Sequence, residues 1–339
     1  MTSKERMFKT LRFEEPDRPP HFEVMFELEH EAFGLRFPDR RSWKDCPAAK
    51  KREQTAVCMD IYARIIERFQ WDALAVFWPW SDPDGVAAAK RAFGDRLLIG
   101  TMVGRSIWAI ESIEDWDQFA ADLAENPRAI HEEARRRRDA ALDKIDRLIG
   151  AGADFIVLVN DVAFNAGPFI SPRQFHEFVT PYLAEQVQRI KARGGIAIVH
   201  SDGNLMPILD EILSTQPHVL HSIDPMAGMD IAEVKRLTRG PAALTRELES
   251  HSCATVRPSG GRIALMGNVQ CSLLQDGPRE AIRRSALYCL SHASPGGGYI
   301  FSTSNTIFPG MPLAHYEYML EVFREFCSLH PWSPRIRGE

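Results

Sequence analysis

Two short clusters carry the residue types and spacing that proton transfer or metal binding needs. The first is His200-Ser201-Asp202-Gly203-Asn204, where an imidazole and a carboxylate stand two residues apart. On an extended segment that spacing projects both side chains to one side. His200 and Asp202 are therefore placed to share a metal, to hold a polar group of a substrate or to act as an acid/base pair. A helix predicted to start near Leu205 would set its positive end beside them and favour an anionic ligand group. The second cluster, Asn160-Asp161-Val162, ends the most apolar run of the chain, Phe155-Ile156-Val157-Leu158-Val159. A carboxylate there is expected to face a cavity mouth, where partial burial raises its pKa and suits it to proton transfer. Trp78-Pro79-Trp80 offers two indoles as a wall for a flat substrate, each good stack contributing about 0.5 to 1.5 kcal/mol beyond the area buried.

What must position these residues is a series of short apolar runs separated by helical patterns. Eight runs read as strands: 21–27, 72–78, 96–103, 154–159, 196–200, 219–223, 263–266 and 299–301. Several are continuously apolar, as parallel strands covered on both faces should be. Between them lie helix signals, such as Ser171-Pro172-Arg173-Gln174 with its capping Ser, first-turn Pro and Gln, a predicted break at Pro181, and Asp230 as a cap. Eight strands alternating with helices predict a (β/α)8 TIM barrel, α/β in class, as a single domain over 1–339 with barrel strands at roughly 20–303. Extra helices between Glu29 and Ile65 are expected to cover the barrel mouth. No GxGxxG turn follows the first strand, which disfavours a doubly wound dinucleotide-binding sheet.

In a barrel, function sits at the C-terminal strand ends. Here those ends offer Glu27, Trp78, Trp80, Asp82, Arg105, Asn160, Asp161, His200, Asp202, Asp224, Asn268 and the stretch Ser302 to Asn305. Singly, each polar residue is ordinary turn or cap chemistry. Their convergence on one face carries the reading.

Composition bounds the partners. The chain has 339 residues, 45% hydrophobic and 26% charged, enough apolar material for a large core, and a formal net charge of -5. That balance argues against a cationic surface built for nucleic acid. The run Arg135-Arg136-Arg137-Arg138 reads as a solvated helix face. No window approaches the roughly 20 apolar residues of a membrane span, and the charged start of the chain leads into no signal-type apolar run, so a cytoplasmic location is expected. Six scattered cysteines include no CxxC pair, and most read as buried reduced thiols.

At these residues the sequence resembles the uroporphyrinogen decarboxylase superfamily, which holds the decarboxylase and methyl-transferring enzymes that work with corrinoid proteins. The resemblance rests on Arg12-Phe13-Glu14-Glu15-Pro16-Asp17-Arg18-Pro19-Pro20, Gly167-Pro168-Phe169-Ile170-Ser171-Pro172, Phe175-His176-Glu177-Phe178, His200-Ser201-Asp202-Gly203-Asn204, Met266-Gly267-Asn268 and Pro309-Gly310-Met311-Pro312. It implies a (β/α)8 barrel, as the strand count does. The decarboxylase carries an arginine-rich RQAGR loop after its first strand and an aspartate after its second. This chain has Phe22-Glu23-Val24-Met25-Phe26-Glu27-Leu28-Glu29 and Phe77-Trp78-Pro79-Trp80 instead. Acidic residues in place of arginines are expected to repel a polycarboxylate substrate. The methyltransferase branch holds zinc with a His-x-Cys pair after the fifth strand and a Cys after the eighth, positions matched here by His200, Asp202 and Asn305. The surviving His and the carboxylate admit zinc or another divalent ion, with Asp161 or Asp224 to complete the set.

The expected function is methyl transfer or O-demethylation. A small methoxylated or aromatic substrate would be held by Glu27, Trp78, Trp80, Asn160, Asp224, Asn268 and Asn305, with His200, Asp202 and Asp161 catalytic. No DxHxxG cobalamin motif occurs, so the corrinoid would arrive on a partner protein; homodimerisation is implied by the resemblance alone. The alternatives are decarboxylation of another small acid and a non-catalytic barrel that binds a metabolite.

Overall fold

The computed structural model describes residues 1–39, 43, 46–79, 82–239 and 262–329. Seven parallel strands follow one another in chain order: β1 (Ala73–Val76), β2 (Leu98–Gly104), β3 (Phe155–Val159), β4 (Ile196–Ser201), β5 (Val219–Ser222), β6 (Ala264–Val269) and β7 (Tyr299–Thr303). Each pairs only with its sequence neighbours, with helices in the connections, and a right-handed series of that kind curls. The inside of the curl is packed with side chains. Phe22 meets Phe155 of β3 with ring centroids 5.6 Å apart. Gly100 on β2 leaves the room for that ring, since a Cβ there would stand 2.2 Å from it.

The eighth expected strand, His21 to Glu27, departs from a regular ladder. It forms isolated parallel bridges, His21 to Phe301 and Phe26 to Ile307, and the His21 carbonyl accepts from the Asp72 N–H at the foot of β1. The segment thus lies between the first and last strands without continuous pairing to either. Two sequence features explain the gap. Pro19 and Pro20 bring no N–H to the ladder. In the middle, the Glu23 carboxylate accepts the Thr303 N–H at 3.1 Å, where a strand would offer a carbonyl.

Several local expectations hold. Ser171 and Gln174 form a capping box, the chain breaks at Val179 between helices Pro172–Phe178 and Thr180–Ala192, and Asp230 caps Ile231–Thr238. Helices Glu29–Phe33 and Ala48–Phe69 account for the N-terminal excursion, and the Trp43 indole donates to Asp82 beyond β1. The arginine run lies in helix Pro127–Gly150 as a paired face: Arg136 bonds Glu133, Arg138 bonds Glu185, and Arg137 lies 4.9 Å from the Trp108 ring centre. Cys58, Cys271 and Cys289 are buried, and burial pushes their thiols up to about 12. Cys253 and Trp80 lie outside the described residues. No helix among the described residues is long and apolar enough to cross a membrane.

The helix predicted near Leu205 is instead a single 3-10 turn, Met206–Ile208, followed by the six-residue helix Leu209–Ser214. Its leading N–H groups are already taken, Leu205 by the Met229 sulfur and Met206 by Asn204 Oδ1 at 3.1 Å. The expected anion-favouring helix end is therefore not built.

The first helix, Ser3–Leu11, is fastened to the foot of the sheet by Asp72, which is 1% exposed. Its carboxylate accepts from Arg6 at 2.6 Å, Arg18 at 2.7 Å, Ser3 at 2.9 Å and the His21 N–H at 2.9 Å. Replacing Asp72 by Ala would leave the Arg18 guanidinium without its carboxylate partner and Arg6 with Asp17 alone. A loss of about 3 to 5 kcal/mol in denaturant unfolding is expected.

Candidate functional site

Strand register brings the site together. His200 stands opposite Val159 on one side and His221 on the other, while Ser201 stands opposite Ser222. Three adjacent strand ends therefore deliver Asn160 and Asp161, then His200 and Asp202, then His221 and Ser222. The ligand atoms of Asp161, His200 and Asp202 all lie within 4.8 Å of one another. His200 Nε2 is 4.0 Å from Asp161 Oδ1 and 3.9 Å from Asp202 Oδ1. The imidazole is buried, whereas the Asp161 side chain is 43% exposed and opens the group to solvent.

The proton positions on the two imidazoles follow from their partners. His221 Nε2 faces the Thr303 carbonyl at 3.3 Å, and a carbonyl only accepts, so that nitrogen carries the proton. Burial, with His200 beside it, holds the His221 pKa well below the ordinary histidine range, so the ring is neutral and its Nδ1 is a bare acceptor. The 2.7 Å contact between the two Nδ1 atoms is then donated by His200. His200 Nε2 is left facing the two carboxylates as the nitrogen available to a proton or a metal.

Asp202 is held from three sides. Its Oδ1 lies 2.7 Å from Ser222 Oγ, whose single proton is shared with the Ser304 carbonyl at the same distance, its Oδ2 accepts from the Asn305 amide in a short contact, and its backbone N–H donates to Asp161 Oδ1 at 3.1 Å. Burial raises its pKa, with Asp161 and Asp224 adding to the effect against the pull of His200 and the Ser222 hydrogen bond. Ser222 and Ile223 carry φ of 89° and 50°, conformations that cost non-glycine residues about 1 to 3 kcal/mol each. Contacts of Ser222 Oγ with the Ser304 carbonyl, and of the Asn268 amide with the Ile223 carbonyl at 2.6 Å, hold that bend. Gly203, at φ +86°, lets the hairpin of Ala163–Phe164 and Gly167–Pro168 close over the pair. A Cβ there would stand 2.2 Å from the Ala163 carbonyl.

The other expected site residues fall elsewhere. Asn160 is buried and engaged with Ser106, accepting its N–H at 2.9 Å and donating to its hydroxyl at 3.0 Å. Asp224 caps the following turn through Met226 N and accepts the Gly203 N–H, so of the two candidates to complete a metal set it is Asp161 that joins the cluster. Asn268 braces Ile223, and Asn305 rests on Asp202. Trp78 is 4% exposed, its backbone paired with the Tyr62 hydroxyl. Glu27 is half-buried, its N–H on the Ile307 carbonyl. The expected repulsion of a polycarboxylate by Glu23 is not supplied, because that side chain is fully buried.

Two residues that sequence reasoning did not single out for the site are prominent in it. His221 and Glu23 both sit inside apolar runs, Val219-Leu220-His221 and Phe22-Glu23-Val24. A titratable residue interrupting such a run is the signal that could have found them.

The donor set fits a divalent ion: one imidazole nitrogen and two carboxylates, one with an exposed face, with His221 setting the imidazole tautomer from behind.

Residues 85–326 match the family model described as uroporphyrinogen decarboxylase (URO-D). Two curated relatives named uroporphyrinogen decarboxylase are similar to the chain. One, from Anaeromyxobacter sp. (strain Fw109-5), is 26% identical over 265 residues, 76% of this chain and 68% of that protein. The other, from Anaeromyxobacter dehalogenans (strain 2CP-C), is 25% identical over 264 residues, 75% and 67% respectively. Among solved structures, a methyltransferase from Methanosarcina mazei superposes with a TM-score of 0.69 at 16% identity, covering 96% of this chain and 99% of that one. At that identity the likeness is one of fold.

If His221 orients His200, His221→Phe should preserve the fold and lower the affinity for Co2+ by about 10- to 100-fold in a visible-absorption titration. Unchanged affinity would remove His221 from that role.

Proposed function

Because the chain belongs to the uroporphyrinogen decarboxylase family, we propose that it is an enzyme of the methyl-transferring kind. In this reading it moves a methyl group from a small methoxylated or aromatic compound to a corrinoid carried by a separate protein. The observation that carries the reading is the cluster of His200 Nε2, Asp161 and Asp202 at three adjacent strand ends. The resemblance matches His200 and Asp202 of this cluster to ligand positions of the methyl-transferring branch. The arginine loop and the aspartate of the decarboxylase have no counterparts in 22–29 and 77–80. The Methanosarcina mazei protein that shares the fold is itself titled a methyltransferase.

The residues divide the work by environment. His200 Nε2 and the carboxylates would hold zinc or another divalent ion, which when bound supplies Lewis-acid polarisation of the atom that carries the methyl group. In the ion-free site Asp202, with its raised pKa, is the proton donor: as the carbon–oxygen bond of the substrate breaks, the oxygen keeps the electron pair and takes the Asp202 proton. With an ion bound, Asp202 would be an ionised ligand, and polarisation of the oxygen by the ion would take the place of that proton. Asp161, exposed at the mouth, orients the incoming polar group. Phe164, three residues after Asp161 and 48% exposed, stands with its ring centroid 6.0 Å from that of Trp116, 42% exposed. That apolar rim suits a planar macrocycle presented by another protein.

Decarboxylation of a different small acid is the second reading, favoured by the names of the two curated relatives. There Asp161 or Asp202 would protonate the carbanion and no corrinoid would be needed.

Incubation with cob(I)alamin and a series of methoxylated aromatics separates the two readings. The expected result is a visible shift to methylcobalamin with at least one donor, reduced by about 10²- to 10⁴-fold in His200→Ala and Asp202→Asn. Release of CO2 from an acid while no donor methylates cobalamin would overturn the proposal.

A further inference from the structure

We infer that Glu23 is a buried neutral acid that positions the site, clamping Ser302 to Asn305, the end of β7 and the turn after it, on which the His200–Asp202 pair depends. The turn supplies that pair with three restraints. The Thr303 carbonyl takes the His221 Nε2 proton, the Ser304 carbonyl meets Ser222 Oγ at 2.7 Å, and the Asn305 amide donates to Asp202. Glu23, from the segment between the first and last strands, grips the same turn with one oxygen. Its Oε2 contacts Ser302 Oγ at 2.6 Å, Thr303 N at 3.1 Å and Thr303 Oγ1 at 2.8 Å.

Counting protons shows which form of Glu23 fits. The Thr303 hydroxyl has one proton and also lies 2.5 Å from the Asn305 carbonyl, which can only accept. With that proton committed to Asn305, the Glu23–Thr303 contact is satisfied when the carboxyl itself carries a proton. The second oxygen, Oε1, is buried without a partner, a position far more costly for an ionised carboxylate than for a neutral acid. Among the described residues no cation pairs with Glu23. The titratable groups near it are Cys271, Tyr299 and Tyr316, and all three are pushed upward and stay neutral. Burial carries Glu23 itself from 4.5 up to about 7, against the hydrogen bonds from Ser302 and Thr303. The folded chain therefore keeps a proton that the unfolded chain releases above 4.5. The stability from Glu23 is fully present below that value and is lost as pH rises through about 7.

Glu23→Gln keeps a neutral side chain with a donor, whereas Glu23→Ala removes the clamp. The first readout is the hydrogen-bonded imidazole N–H between His200 and His221, followed by 1H–15N correlation at pH 6. The resonance should persist in the wild type and in Glu23→Gln and be lost in Glu23→Ala. Glu23→Gln should also flatten the fall in stability between pH 4.5 and about 7. Should Glu23→Ala fail to fold, Thr303→Val removes the bridging hydroxyl without touching the carboxyl and should lose the same resonance. An unchanged imidazole resonance in the folded Ala or Val variant would overturn the inference. So would an unchanged pH slope in Glu23→Gln.

Discussion

The site depends on one tetrapeptide, Ser302 to Asn305, being held still. Three contacts that orient the working side chains end on it: His221 on the Thr303 carbonyl, Ser222 against the Ser304 carbonyl, and Asp202 under the Asn305 amide. Glu23 grips this turn from the interior, and the same grip interrupts the strand ladder where the sheet's two edges approach each other. Regular backbone pairing is given up there for a side-chain clamp. A structure usually departs from regular pairing in this way at functional sites.

The chemistry follows from that arrangement. A buried imidazole whose Nδ1 proton is committed to a second imidazole presents only Nε2 to the cavity. The two carboxylates it faces differ in environment, Asp202 half-buried and three-way bonded, Asp161 more open to solvent. A raised pKa on a carboxyl beside an imidazole marks a candidate acid in enzymes. An oxygen-rich set with one imidazole also prefers harder ions than a thiolate set does.

Much of this was legible in the residues. Parallel strands buried on both faces are apolar runs, so seven of eight were found with small shifts at their ends. His200, Asp202 and Asp161 were visible as polar residues ending such runs. The eighth strand failed because pairing there is made by the Glu23 side chain, which no periodicity reports. Asn160 and Asn268 both brace neighbouring backbone. An amide at a strand end can serve a ligand or the next loop equally well, and here Ser106 and Ile223 claim them. His221 and Glu23 were passed over for the converse reason: in a strand covered on both faces, alternation does not say which residues face the site. The helix near Leu205 opens as a 3-10 turn whose first N–H groups are met by Asn204 and Met229.

Neutron diffraction from deuterium-exchanged crystals tests the central arrangement most directly, because it locates the proton between the two imidazoles. The account predicts deuterium on His200 Nδ1 pointing to a bare His221 Nδ1, with a second deuterium on His221 Nε2 directed at the Thr303 carbonyl. Deuterium bonded to His221 Nδ1 and a bare His200 Nδ1 would contradict it.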